Sequence, residues 1–211
     1  MLFNFKYIIL YTALCTLLCS STCKKNQPKP CQSNVYAFQV SSIYTPDNNI
    51  FNLNDTIYIN SEFPKNLTNV STSQIIDYSN ATGIGGNITF FELDTIQKIV
   101  IPGLTNFSCY SIVGSIAPGS IRPDYILDNI YEEGQDLYKF KLRVVPKKKG
   151  IYVIFISDLL SIGIRYRDCT NASFINKFSN RQGGIQLFQF AMGRLPASQF
   201  EEERMFCFRV L

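Results

Sequence analysis

The sequence predicts an all-β protein, a two-sheet antiparallel sandwich of the immunoglobulin-like kind with one or two short helices. Three observations carry this expectation. Apolar and polar residues alternate with a period of two in many short segments. Clusters of Asn, Asp, Gly and Pro separate those segments at 45–49, 52–55, 83–87, 118–124 and 179–184. Only two places invite a helix. Many short strands with few helices favour two sheets packed face to face.

The elements follow in chain order. Tyr36, Phe38 and Val40 alternate with Ala37 and Gln39, and Ile57 and Ile59 alternate with Tyr58 and Asn60. Residues 86–93 and 109–116 are runs of β-branched and aromatic side chains. In 138–145, Tyr138, Phe140, Leu142 and Val144 point one way, and Lys139, Lys141 and Arg143 the other. Pro146 and Gly150 then bracket Lys147, Lys148 and Lys149 as a turn, and 151–157 returns as a nearly continuous apolar strand, so the whole reads as a basic hairpin. The two helical expectations are 124–133 and the capping box Ser198-Gln199-Phe200-Glu201 after Pro196. Residues 205–210 resume alternation, and 169–211 is the most irregular part.

The N-terminus reads as a targeting signal. Lys6 supplies a positive n-region, and an apolar run extends from Tyr7 to Cys19. That run is shorter than the ~20 residues a spanning helix needs, and it fits a secretory h-region. Ser20, Ser21 and Thr22 precede Cys23, and the polar stretch Lys24-Lys25-Asn26-Gln27-Pro28-Lys29-Pro30 follows it. Small residues before a cysteine and a polar tether after it predict a lipoprotein signal over 1–22 and lipidation at Cys23. The tether is then 23–32 and the single sandwich domain 33–211. Two acyl chains on one cysteine hold a protein stably at a membrane.

Composition excludes several classes of function. The 211 residues hold no histidine, so no Ser-His-Asp or Cys-His site and no His-ligated metal site can form within the chain. The net charge of +4 arises in the leader and tether. Removing Lys6, Lys24, Lys25 and Lys29 from the 20 basic residues leaves as many as the 16 acidic ones. The body is neutral, and no nucleic-acid partner is expected.

Seven cysteines are present. Cys15 and Cys19 leave with the signal and Cys23 takes lipid. Cys31, Cys109, Cys169 and Cys207 remain, an even number in an exported chain, with three possible connectivities. The expected pairs are Cys31–Cys109 and Cys169–Cys207, with four free thiols as the alternative.

Several motifs have competing readings. Asp55-Thr56-Ile57 and Asp94-Thr95-Ile96 resemble an acceptor signal for bacterial O-glycosylation at Thr56 and Thr95, or simply mark strand starts. Seven Asn-x-Ser/Thr sequons occur in an Asn-rich chain. Gly83-Ile84-Gly85-Gly86 lacks the third glycine of a dinucleotide loop and reads as a turn. Acidic clusters at Asp124/Asp128, Glu132/Glu133/Asp136 and Glu201-Glu202-Glu203 could house a carboxylate pair for glycoside hydrolysis, or be solvated surface. Asp47, Asn48, Asn49, Asn52, Asn54 and Asp55 offer oxygen ligands without EF-hand spacing. No cofactor or metal is expected. Twelve tyrosines could stack sugars or fill the core, and no tryptophan is present. Lys139, Lys141, Arg143, Lys147, Lys148 and Lys149 crowd positive charge into the stretch 139–149. They either protect an exposed edge strand or form a footprint for an anionic surface.

The segments SSTCKKN (20–26), DTIYINSEFP (55–64), KKKGIYVIFISD (147–158) and MFCFRV (205–210) give the chain a resemblance to small uncharacterised lipoproteins of Bacteroidetes-type bacteria. The resemblance implies export and anchoring in the outer membrane. The basic KKNQPKP after Cys23 favours the periplasmic face, with the cell surface as alternative. No catalytic residue is implied. The expected function is a lipid-anchored, non-enzymatic envelope protein that binds or scaffolds an envelope protein or glycan. The alternatives are a glycan-binding accessory lipoprotein and a carboxylate-dependent hydrolase.

Overall fold

A computed structural model describes residues 35–161, 171–180 and 184–211. Strands dominate, and the fold is an all-β sandwich. Fourteen strands form one hydrogen-bonded network that folds into two leaves.

The first leaf is built on β1 (Val35–Thr45), β3 (Ile57–Pro64), β12 (Leu137–Pro146) and β15 (Asn171–Phe178). β3 lies between β1 and β12, and the far side of β12 carries β8 (Phe107–Val113) and β11 (Glu132–Glu133). The second leaf centres on the long strand β6 (Ile84–Asp94), which has four partners. One side of β6 pairs with β10 (Ile126–Ile130) and β7 (Ile99–Pro102), the other with β13 (Gly150–Ile156) and β14 (Leu159–Ser161). β16 (Met205–Val210) and the short β2 (Ile50–Phe51) extend the leaf beyond β13, and β9 (Ser115–Pro118) lies beside β10. β14 pairs with both β6 and β15, so it joins the leaves along one side. A separate hairpin is formed by β4 (Asn66–Thr68) and β5 (Ile75–Asp77). Two pairings are parallel, β1 with β15 and β16 with β2, within a network that is otherwise antiparallel.

The inward residues of both leaves make one aromatic-rich core. Phe38, Phe63 and Phe174 lie with centroids 5.4 Å apart in two successive contacts, and Tyr78 meets Phe38 edge-on at 5.4 Å. Phe107 of the first leaf meets Tyr152 of the second at 4.8 Å, also edge-on. These are the offset and T-shaped geometries that ring quadrupoles favour. Buried hydroxyls are paired. Tyr138 donates to Tyr78 O at 2.8 Å and accepts from Ala81 N–H at 3.0 Å, and the Tyr78 and Ser161 hydroxyls bond to each other.

The apolar run 151–157 has a direct explanation: β13 is buried on both faces. Tyr152, Ile154 and Ile156 join the main core, while Ile151 and Val153 join a second cluster under α1 (Gly184–Met192). Phe188, Ala191 and Met192 of α1 close that cluster over Met205 and Cys207 of β16. Gly184 permits the approach, since a Cβ there would lie 3.1 Å from the Cys207 nitrogen. Gly193, at φ +69°, ends α1, and Lys98 Nζ donates to the carbonyls of Phe190 and Ala191 at 3.3 and 3.1 Å.

The structure corrects three expectations here. Residues 124–133 hold β10 and β11 rather than a helix, because Leu127 and Asn129 alternate inward against β6. The capping box does form its helix, α2 (Gln199–Glu202). Ser198 Oγ accepts from Glu201 N–H at 3.3 Å, and Glu201 Oε2 accepts from Ala197 N–H at 2.8 Å. The helix α1 lies where an irregular segment was expected. Finally, β12 and β13 do not pair as a hairpin. β12 lies between β3 and β8, and Lys147–Lys149 carry the chain from one leaf to the other.

Candidate functional site

The outer face of the first leaf gathers the most chemistry. β12 sends Lys139, Lys141 and Arg143 to that face, because the alternate residues Tyr138, Phe140, Leu142 and Val144 are buried. Register places Tyr58 of β3 on one side of Arg143 and Tyr110 of β8 on the other. Arg143 Cζ sits 4.3 Å from the Tyr110 ring centroid, and Lys141 Nζ sits 4.9 Å from that of Tyr58. These distances are cation–π contacts, which fix the cationic heads without neutralising them. Tyr110 remains 47% exposed. A register shift between Lys141 and Leu142 leaves Ile112 of β8 unpaired, which sets Val113 beside Lys141.

This geometry does not fit the reading of Lys139, Lys141 and Arg143 as edge protection. β12 is an interior strand, and aromatic residues do interleave with its cations. Lys139 is flanked in register by Glu62 and Glu132. Lys139, Lys141 and Arg143 make no ion pair among the described residues. The turn lysines belong to another neighbourhood. Lys148 bonds Glu92 of the second leaf at 2.8 Å, and its carbonyl accepts from Tyr152 OH at 3.0 Å. The six cations therefore divide into a trio on the sheet face and a trio at the crossing.

The other expected residues are dispersed. Cys23, Cys31 and Cys169 lie outside the described residues. Cys109 and Cys207 are free thiols among the described residues, and the partners expected for them, Cys31 and Cys169, are not among those. Each is packed as a small apolar group, Cys207 inside the cluster under α1 and Cys109 against the main core. Burial pushes both thiols up to about 12. Thr56 is half-buried immediately before β3. Thr95 is half-buried in the β6–β7 turn, where Asp94 Oδ1 accepts from the N–H groups of Ile96 and Gln97 at 2.8 and 2.9 Å. Those bonds, Gln97's first, hold the Asp94 carboxyl below its ordinary range. Thr95 also borders a depression of ≈ 440 Å³ on the second leaf, lined by Glu92, Asp94, Phe190 and Arg209.

Several of the carboxylates have local partners. Asp128 accepts from Asn87 Nδ2 at 2.5 Å, Glu133 pairs with Lys65 at 2.8 Å, and Glu203 pairs with Lys177 at 2.5 Å. Asp55 Oδ2 accepts from Asn52 N–H at 2.6 Å in a tight turn. Burial opposes ionisation of Glu133, but the bonds from Lys65 and Asn80 N–H outweigh it and hold its carboxyl below the usual range. Among the described residues no cluster of three or more His, Cys, Asp or Glu comes together, and no helix is long and apolar enough to cross a membrane. Sequence reasoning grouped the basic residues but missed Tyr58 and Tyr110. Their signal is cross-strand register, which only the pairing of β3, β12 and β8 reveals.

No family model and no curated protein matches the chain. Among solved structures it is distantly similar to AvmM, which catalyses macrocyclization in alchivemycin A biosynthesis. That likeness has a TM-score of 0.35 and 8% identity over 88% of this chain and 94% of the other. It is also distantly similar to a type II cohesin domain from the cellulosome of Acetivibrio cellulolyticus, with a TM-score of 0.26 and 10% identity over 65% and 95%.

Proposed function

We propose that the chain is a lipid-anchored envelope protein, tethered through Cys23, that binds an anionic ligand on the outer face of its first leaf. The observation that supports this reading is the pairing of Lys141 with Tyr58 and of Arg143 with Tyr110 on one open sheet face. Stacking on a ring holds each cation in place while leaving its charge available, so little side-chain freedom is lost when an anion arrives. The open face suits a ligand held by several weak contacts. The anchor would be the lipid on Cys23, at the periplasmic face of the outer membrane, and Thr56 and Thr95 would be the acceptors of any O-linked sugar.

Two measurements test the reading. Intact mass of the membrane-extracted chain should show a polypeptide beginning at Cys23 and carrying acyl groups, whereas a soluble unmodified chain would remove the anchor. Full-length protein in detergent should bind anionic vesicles or an acidic polymer such as polygalacturonate at low salt. Replacing Lys139, Lys141 and Arg143 by Gln should abolish that binding, and raising salt from about 0.02 M to about 0.5 M should weaken it. Wild-type protein that binds neither probe at low salt would defeat the proposal.

A further inference from the structure

The first leaf splits where β1 and β3 part. Their ladder runs only between Ser42–Ser61 and Thr45–Tyr58. Beyond it β1 stays with β15, and β3 stays with β12. The β4–β5 hairpin closes the far end of the gap, with Val70 N–H donating to Ala37 O at 2.8 Å. The result is a groove with two lobes on the outer face.

The lobe over the gap has a volume of ≈ 530 Å³ and is bordered by Gln39, Asn66, Thr68 and Asn69. The second lobe, ≈ 390 Å³, has an apolar floor of Ile43 and Val113 with Asn60, Lys139 and Lys141 around it. Ser41 and Glu62 line both lobes, so the groove is continuous. Its chemistry changes along its length, from amides and hydroxyls to lysines.

The first lobe also offers backbone groups. Ala37 and Ser41 turn their carbonyls toward β3, where Val70 N–H and Ser61 Oγ donate to them. Alternation makes Gln39, between them, turn its N–H and C=O into the same gap, beyond the end of the β3 ladder. These are partners for hydroxyl groups that both donate and accept.

We infer that this groove binds an acidic polysaccharide, with hydroxyl-rich sugar in the amide lobe and a carboxylate or sulfate against Lys139 and Lys141. The inference rests on the reading that this face takes an anion, and it names the anion's chemistry. From Gln39 to Ile43 the groove follows β1 for ~13 Å at ~3.3 Å per residue, long enough for more than one sugar unit in line. A lipid headgroup would fill the lysine lobe alone and leave the amide lobe without a partner. Tyr58, under Lys141, offers a ring edge where the chain would leave the groove.

Full-length protein in detergent should be titrated calorimetrically with oligogalacturonates of increasing length, and separately with phosphatidylglycerol vesicles. Affinity should rise with oligomer length until both lobes are spanned. Gln39→Trp, at an exposed position, should remove the gain with length while sparing weak binding of short oligomers. Lys141→Glu should reduce binding of every length by about tenfold or more. Ile96→Trp, on an exposed turn of the other leaf, should change neither. Binding to vesicles but not to oligogalacturonates, or no effect of Gln39→Trp, would overturn the groove assignment and leave the anionic face standing. Failure of every anion to bind would remove both.

Discussion

The Tyr44 and Phe206 rings stack with centroids 3.7 Å apart and 16° between their planes, tying β1 of the first leaf to β16 of the second. Phe206 also stacks on Phe208 at 4.8 Å and meets Phe178 and Phe51 edge-on. Phe206→Ala should therefore lower stability by about 3–5 kcal/mol, the usual cost of emptying a large buried aromatic site. Urea unfolding followed by tyrosine fluorescence would measure it. A loss under about 1 kcal/mol would mean that the stack does not hold the leaves together.

Cys109 and Cys207 should resist alkylation in the folded protein. Their thiols are buried and their pKa values raised to about 12, so thiolate is scarce at pH 8. Iodoacetamide treatment followed by peptide mass mapping should leave both unmodified until denaturant is added. Rapid native labelling of Cys207 would show that α1 lifts from β16.

Glu133 should contribute to acid sensitivity. Its folded carboxyl is held below the ordinary range, so the unfolded chain takes up its proton at higher pH than the folded one. The stabilisation is present above the unfolded pKa of about 4.3 and is lost as pH falls through the depressed folded value. Glu133→Gln should flatten the acid limb of a stability–pH curve and leave the neutral plateau lower. An unchanged acid limb would remove Glu133 from the account.

Gly114 turns the chain from β8 to β9 at φ +77°, and a Cβ there would lie 2.4 Å from Ile130 O. Gly114→Ala should cost roughly 1–3 kcal/mol from the left-handed backbone alone. The crowding at Ile130 would add to that. Thermal melts of the two proteins would show whether this corner tolerates a side chain.

The sandwich was legible because its strands obey a period of two wherever one face meets water. It was less legible where strands are buried on both sides. The continuous apolar run at 151–157 conceals the helix on its back, and α1 itself is rich in Ile, Leu and Phe, which suit either state. The spacing of Ile185, Phe188, Ala191 and Met192 carried the helical signal. The tyrosines at 58 and 110 could not be joined to Arg143 from sequence, since β3 and β8 both lie far from β12 along the chain. Register between distant strands is a tertiary property, and no local pattern encodes it.

The parallel pairing of Val35 with Asn171 has a consequence for how the chain matures. β1 finds one of its two partners only once β15, far along the chain, has been made. Until then the backbone of β1 is held by the short β3 ladder and the Val70–Ala37 bond, and the junction through β14 and β15 is missing. Such long-range closure makes folding slow. A chain cut short before β15 should remain open and aggregation-prone, so the arrival of β15 is itself the trigger that shuts the sandwich.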